Sequence, residues 1–166
     1  MTGPPPLLQM IEALVAAPSV SSINPQWDQS NQAVIAHLHS WLLDLGLNLE
    51  VLPVAGCPGK SNLLASAGEG ADGLLLSGHS DTVPFDDSRW TSDPFVLDQR
   101  EGRLYGLGTS DMKAFFALAI EALRPEAIGY EDACGRIPVS GLLRAAQRHG
   151  LQGRILDLRN SGDTAG

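Results

Sequence analysis

Residues 73–84 read GLLLSGHSDTVP, an apolar run that leads into a histidine and an aspartate. Three leucines precede a histidine, and an aspartate follows two residues later. An apolar run of this length is typical of a buried strand. Because strand side chains alternate between two faces, His79 and Asp81 are predicted to point the same way at the carboxyl end of the strand. In an open α/β sheet, ligands bind at that end.

The composition narrows the class of protein. Of 166 residues, 43% are hydrophobic and 18% are charged, which is typical of a soluble globular protein. The net charge of -8 argues against a nucleic-acid or anionic membrane partner. Cys57 and Cys134 form no CxxC pair, the N-terminus lacks a basic signal region, and no apolar run approaches about 20 residues. We therefore expect a cytoplasmic protein.

Helical periodicity marks three segments of the chain. A first helix is predicted to end before Pro18, and a second to run from about residue 29 to 45, where Gly46 stops it. A third helix is predicted to open on Asp111, because a carboxylate suits the positive end of a helix.

Strand patterns lie between these helices. The predicted strands and hairpin are LNLEVLP (47–53), SNLLASAG (61–68), GLLLSGH (73–79) and FVLDQREGRLYG (95–106), the last turning at Glu101-Gly102. Strands that alternate with helices predict an α/β fold, here a partial layered sheet with helices on its faces. The net charge is -9 over residues 1–123 and +1 over 124–166, which places a candidate boundary near Leu123.

The chemistry-bearing residues are His79, Asp81 and Asp111. Neutral imidazole is a good zinc ligand, and a neighbouring carboxylate can hold its ring and tautomer. Asp111 could bring a second carboxylate to the same place. Residue types and spacing leave two interpretations open, a metal ligand or an ordinary histidine after a strand.

Two motifs, GHSDTVP (78–84) and YGLGTSDMKAFFA (105–117), resemble the zinc-dependent aminoacylase and carboxypeptidase superfamily. Over residues 6–123 the chain is most similar to the acetylornithine deacetylase group within it. The resemblance implies that His79 binds the first of two zinc ions, with cobalt as a possible substitute. Asp111 would bridge both ions, and Asp81 would be the catalytic carboxylate beside the histidine.

The implied activity is hydrolysis of the acetyl amide of N-acetylornithine, a step of arginine biosynthesis. The implied partner is a small N-acyl amino acid substrate. The superfamily's glutamate pair, its further acidic ligand and its late histidine have no counterpart in this sequence, and the acidic pair at 131–132 lacks a preceding strand. Residues 1–123 would thus be an incomplete metallohydrolase catalytic domain. The alternative is a catalytically incomplete truncated or chimeric chain that at most binds a metal ion and self-associates.

The remaining residues, 124–166, resemble the C-terminal segment of the Memo family through CGRIPVSGLL (134–143) and LDLRNSGDTAG (156–166). A helix over 138–149 and a strand over 153–159 are predicted there. Cys134 would match that family's pocket cysteine, whose histidine partners belong to a part that this chain lacks.

Overall fold

The computed structural model describes residues 3–68 and 73–123 and the short strand at 152–153. Three α-helices lie within these ranges. They are α1 (Leu7–Val15), α2 (Gln32–Asp44) and α3 (Lys113–Ala122). All three occur where the apolar periodicity predicts them.

Six short strands accompany the helices in the described ranges. They are β1 (Asn48–Pro53), β2 (Ser61–Ser66), β3 (Gly73–Leu74), β4 (Asp98–Arg100), β5 (Arg103–Tyr105) and β6 (Gln152–Gly153). β1 and β2 pair antiparallel, as do β4 and β5, whereas β3 and β6 pair in parallel. The predicted α/β fold class is confirmed, with small sheets and with α2 packed against the β1–β2 pair.

Local sequence signals place the ends of several elements. Gly46 follows α2 with a φ of 79°, a conformation that glycine adopts without strain. Glu101 and Gly102 have φ of 52° and 70°, as a two-residue turn between antiparallel strands requires. α2 begins three residues later than predicted, because the chain before it is held in a loop by the side chains of Gln29 and Asn31.

The predicted buried strand over 73–79 is wrong beyond Leu74. Strand structure covers Gly73–Leu74, and Leu75 is 44% exposed. A strand is stabilised by hydrogen-bonded neighbours and by cover on its faces. In the described part of the chain, β3 has a partner of only two residues, β6.

The core lies between the three helices and the inner face of β2. Its fully buried members include Met10, Leu14, Val34, Leu38, Leu63 and Ala117. α1 packs against α3, and α2 packs against β1 and β2. The start of α3, which follows Asp111, is therefore fixed by its contact with α1.

Predictions for the C-terminal segment fall largely outside the described residues. These include the helix over 138–149, the acidic pair at 131–132, and Cys134. Of the predicted strand over 153–159, residue 153 is described and belongs to β6. The domain division at Leu123 stays a prediction. Among the described helices, none combines the length and the apolar character that crossing a bilayer requires.

Replacing Leu38 by alanine is expected to lower the free energy of unfolding by about 2–5 kcal/mol, because Leu38 is 1% exposed and its removal leaves a cavity. Leu43→Ala on the same helix is the matched control, since Leu43 is 56% exposed, and we expect a change within about 0.5 kcal/mol. Urea denaturation followed by circular dichroism measures both. Equal effects would contradict the assignment of the core.

Candidate metal site

The structure brings together all three residues singled out from the sequence. His79 Nε2 lies 2.9 Å from Asp111 Oδ1. His79 Nδ1 lies 3.1 Å from Asp81 Oδ1 and 3.0 Å from the Asp81 backbone oxygen. Each ring nitrogen therefore faces a different carboxylate.

The three side chains differ sharply in exposure. That of Asp81 is 3% exposed, that of His79 is 20% exposed and that of Asp111 is 75% exposed. The buried carboxylate can hold the imidazole ring, and the exposed one remains accessible to an incoming ion. His79 therefore lies between a buried carboxylate, that of Asp81, and a solvent-exposed one, that of Asp111.

Asp111 reaches this position through the start of α3. The helix begins at Lys113 with Met112 at its N-cap, so Asp111 precedes the first turn. The Asp111–Met112 peptide bond is cis. The helix was predicted to open on Asp111 but begins two residues later, and the Asp111 carboxylate contacts His79 and does not cap the helix.

Two donor atoms, His79 Nε2 and Asp111 Oδ1, are of the kinds that a divalent cation such as zinc binds. Two donors each about 2.1 Å from a tetrahedral zinc ion lie about 3.4 Å apart, so His79 Nε2 and Asp111 Oδ1, which are 2.9 Å apart, would separate by about 0.5 Å to share an ion. Asp81 at Nδ1 favours the tautomer that leaves Nε2 free to bind a metal. Within residues 3–68 and 73–123, however, no group of three or more His, Cys, Asp or Glu residues could hold an ion. A catalytic zinc site usually has three protein ligands.

Asn31 is a buried polar residue that the sequence pattern did not single out, and it holds the loop that carries His79 and Asp81. The Asn31 side-chain amide donates to the Ser61 backbone oxygen at 2.8 Å and to Ser80 Oγ at 3.0 Å. Its carbonyl oxygen accepts from the Ser61 backbone N–H at 3.0 Å. Ser80 lies between His79 and Asp81, so Asn31 fixes the loop that carries both. An asparagine ahead of a helix indicates only a cap from sequence.

A second support comes from the residues after α1. Ser19 Oγ donates to the Ser80 backbone oxygen at 2.8 Å. The Thr82 backbone N–H donates to Ser19 O at 3.1 Å, and the Ser21 N–H donates to Thr82 O at 2.8 Å. Asp81 is therefore held by hydrogen bonds on both of its neighbours.

Lys113 is a third residue that the sequence did not single out. It is fully buried, and its Nζ donates to the backbone oxygens of Leu14 at 3.1 Å and Ala17 at 2.7 Å. Burial lowers the pKa of Lys113 to about 8, and the negative charge of Asp81 opposes that shift. A lysine at the start of an apolar helix gives no sequence signal of its burial or of its partners.

Part of the chain is similar to a known protein family. Residues 75–129 match peptidase family M20/M25/M40. The matched stretch contains His79, Asp81 and Asp111. This agrees with the superfamily that the two motifs resemble. The narrower likenesses, to acetylornithine deacetylase and to Memo, stay predictions.

Solved structures give the same picture of the fold. Human carnosine dipeptidase 1 superposes with a TM-score of 0.64 at 21% identity, over 96% of this chain and 32% of its own. A dipeptidase of Saccharomyces cerevisiae gives 0.61 at 16% identity, over 95% and 32%. A tripeptidase of Staphylococcus aureus gives 0.50 at 19% identity, over 91% and 35%. The chain spans about a third of the length of these proteins, and at this identity the likeness shows the fold.

Replacing Asn31 by alanine is expected to lower the free energy of unfolding by about 1–3 kcal/mol, because it leaves the buried Ser61 N–H without its acceptor. Gln32→Ala is the control. It removes one side-chain hydrogen bond, to Ser61 Oγ, from an exposed residue, so we expect a loss of about 1 kcal/mol or less. Thermal and urea unfolding measure both. A milder effect for Asn31→Ala than for Gln32→Ala would contradict the role given to Asn31.

Proposed function

We propose that this chain carries the metal-binding start of a hydrolase that cleaves an amide bond of an N-acyl amino acid. The observation that carries the proposal is the contact of His79 Nε2 with Asp111 Oδ1 at 2.9 Å, with Asp81 on the other ring nitrogen. The match of residues 75–129 to peptidase family M20/M25/M40 supports it.

His79, Asp81 and Asp111 would have different roles, according to the exposure of their side chains. His79 and Asp111 would hold a divalent ion, zinc in preference and cobalt as a substitute, and the position of Asp111 at the surface suits it to a second ion as well. Asp81 would orient the imidazole and fix its tautomer from the buried side. A bound ion of this kind supplies a Lewis acid for the amide carbonyl and an acidic water.

N-acetylornithine is the substrate that we propose, and its deacetylation would serve arginine biosynthesis in the cytoplasm. The support is the resemblance of residues 6–123 to the acetylornithine deacetylase group through GHSDTVP and YGLGTSDMKAFFA. The solved structures that share the fold are named as dipeptidases and a tripeptidase. Peptide and N-acetyl bonds are both amides, so the same chemistry would serve either substrate.

A second candidate is a chain that binds a metal ion without turnover. One observation favours it. Within the described ranges, no group of three or more His, Cys, Asp or Glu residues is arranged so that it could hold a metal ion. The two candidates share the metal site and differ in whether this chain completes the catalytic machinery.

Metal binding is the first test. Zinc titrated into the metal-free chain in a calorimeter is expected to bind at His79, and His79→Ala is expected to weaken binding at least about tenfold, because it removes a ligand. Asp111→Asn is expected to act in the same direction. His39→Ala and Asp44→Asn, on α2, are the matched controls. The proposal is wrong if the controls weaken binding as much as the site variants.

Activity is the second test. We expect no measurable hydrolysis of N-acetylornithine by the 166-residue chain with added zinc, because the superfamily's general base has no counterpart and a positioned base contributes about 10²- to 10⁴-fold. A colorimetric ornithine assay measures this. Turnover that disappears in Asp111→Asn would contradict the second candidate and show that the chain is complete.

A further inference from the structure

Lys113 links α3, the helix that follows Asp111, to the end of α1. It begins α3 two residues after Asp111. Its Nζ donates to Leu14 O and Ala17 O, at the C-terminal end of α1. Backbone oxygens at the end of a helix carry partial negative charge and attract a cation.

The segment that accepts the Lys113 hydrogen bonds also contacts the loop that carries His79 and Asp81. We call residues 14–21 the brace segment. Beyond Ala17 it continues to Ser19 and Ser21, which bond to Ser80 and Thr82 on either side of Asp81. The brace segment therefore contacts both the helix that follows Asp111 and the loop that carries His79.

Packing leaves the Lys113 side chain little freedom. A Cβ built on Gly108 would lie 2.9 Å from Lys113 Cδ and 3.2 Å from Thr82 Cγ2. Contacts this short mean that the aliphatic stem of the lysine and the threonine methyl occupy the space beside Gly108. The lysine stem and the methyl group of Thr82, the residue after Asp81, therefore both border Gly108.

The charge of Lys113 distinguishes it from an ordinary core residue. A methionine has similar volume and no need of hydrogen-bond partners, whereas a buried ammonium group is tolerated only with partners and an opposite charge. Here two backbone oxygens are the partners, and the Asp81 carboxylate is a source of opposite charge.

We propose that Lys113 is a positioning residue of the metal site, which keeps Asp111 beside His79 by tying the first turn of α3 to the brace segment. The inference rests on the proposed function, because it concerns the same site. It adds a residue that neither the motifs nor the family match assigns a role.

The first measurement needs no metal. Nitrogen NMR of the His79 ring reports its contact with Asp111, so Asp111→Asn should shift the ring signals of the unaltered chain. In a Lys113→Met background the same replacement should shift them by less than about half as much. Lys60→Met is the matched control, because Lys60 is also buried but bonds to Asp28. An equal shift in both backgrounds overturns the proposal.

The second measurement is the zinc affinity of variants that unfold cooperatively. Supporting residues around a metal site typically change affinity by about 10- to 100-fold, and we expect a loss in this range for Lys113→Met and almost none for Lys60→Met. Lys113→Arg, which keeps the cation, should recover part of the affinity. An unchanged affinity in Lys113→Met overturns the proposal.

Ser19→Ala keeps the test decisive if Lys113→Met does not fold. It removes the hydrogen bond from Ser19 to Ser80 at the other end of the brace segment. We expect it to reduce both the zinc affinity and the change that Asp111→Asn causes in the His79 ring signals. No change in either quantity overturns the proposal. Absence of zinc binding in the unaltered chain would instead refute the proposed function, and the metal-free NMR comparison would still decide the role of Lys113.

Discussion

The backbone hydrogen bonds between the brace segment and Thr82 are the constraint on which the candidate site depends. The strand that was predicted to present His79 ends at Leu74, and residues 75–79 are not in a strand. The Thr82 N–H and O instead bond to Ser19 and Ser21, at 3.1 and 2.8 Å. These two bonds tie the residue after Asp81 to the segment that follows α1.

Burial then assigns different tasks to chemically similar groups. The carboxylates of Asp81 and Asp111 both contact the His79 imidazole, but the two side chains are 3% and 75% exposed. A buried carboxylate must keep its partners, so Asp81 suits a fixed orienting role. An exposed carboxylate can exchange water for an ion at little cost, so Asp111 suits a ligand. The direction of this gradient, more than the residue types, supports a metal site open to solvent.

Sequence reasoning recovered what short-range patterns encode. The three helices and the turn at Glu101-Gly102 follow from periodicity and local conformation. His79 and Asp81 do lie together, although the strand whose alternation predicted this ends at Leu74. Asn31 and Lys113 were missed because their partners lie 30 to 99 residues away in sequence. The predicted strand over 73–79 covers only Gly73–Leu74, and its partner in the described part of the chain, β6, has two residues.

X-ray absorption at the zinc edge of the metal-loaded chain tests the central claim most directly, because it identifies the atoms around the ion. The arrangement of His79 and Asp111 predicts one imidazole per zinc, with oxygen completing a first shell at about 2.0–2.2 Å. His79→Ala should remove the imidazole signal. A sulfur shell at about 2.3 Å, or two or more imidazoles per ion, would show that zinc binds elsewhere and would contradict the account.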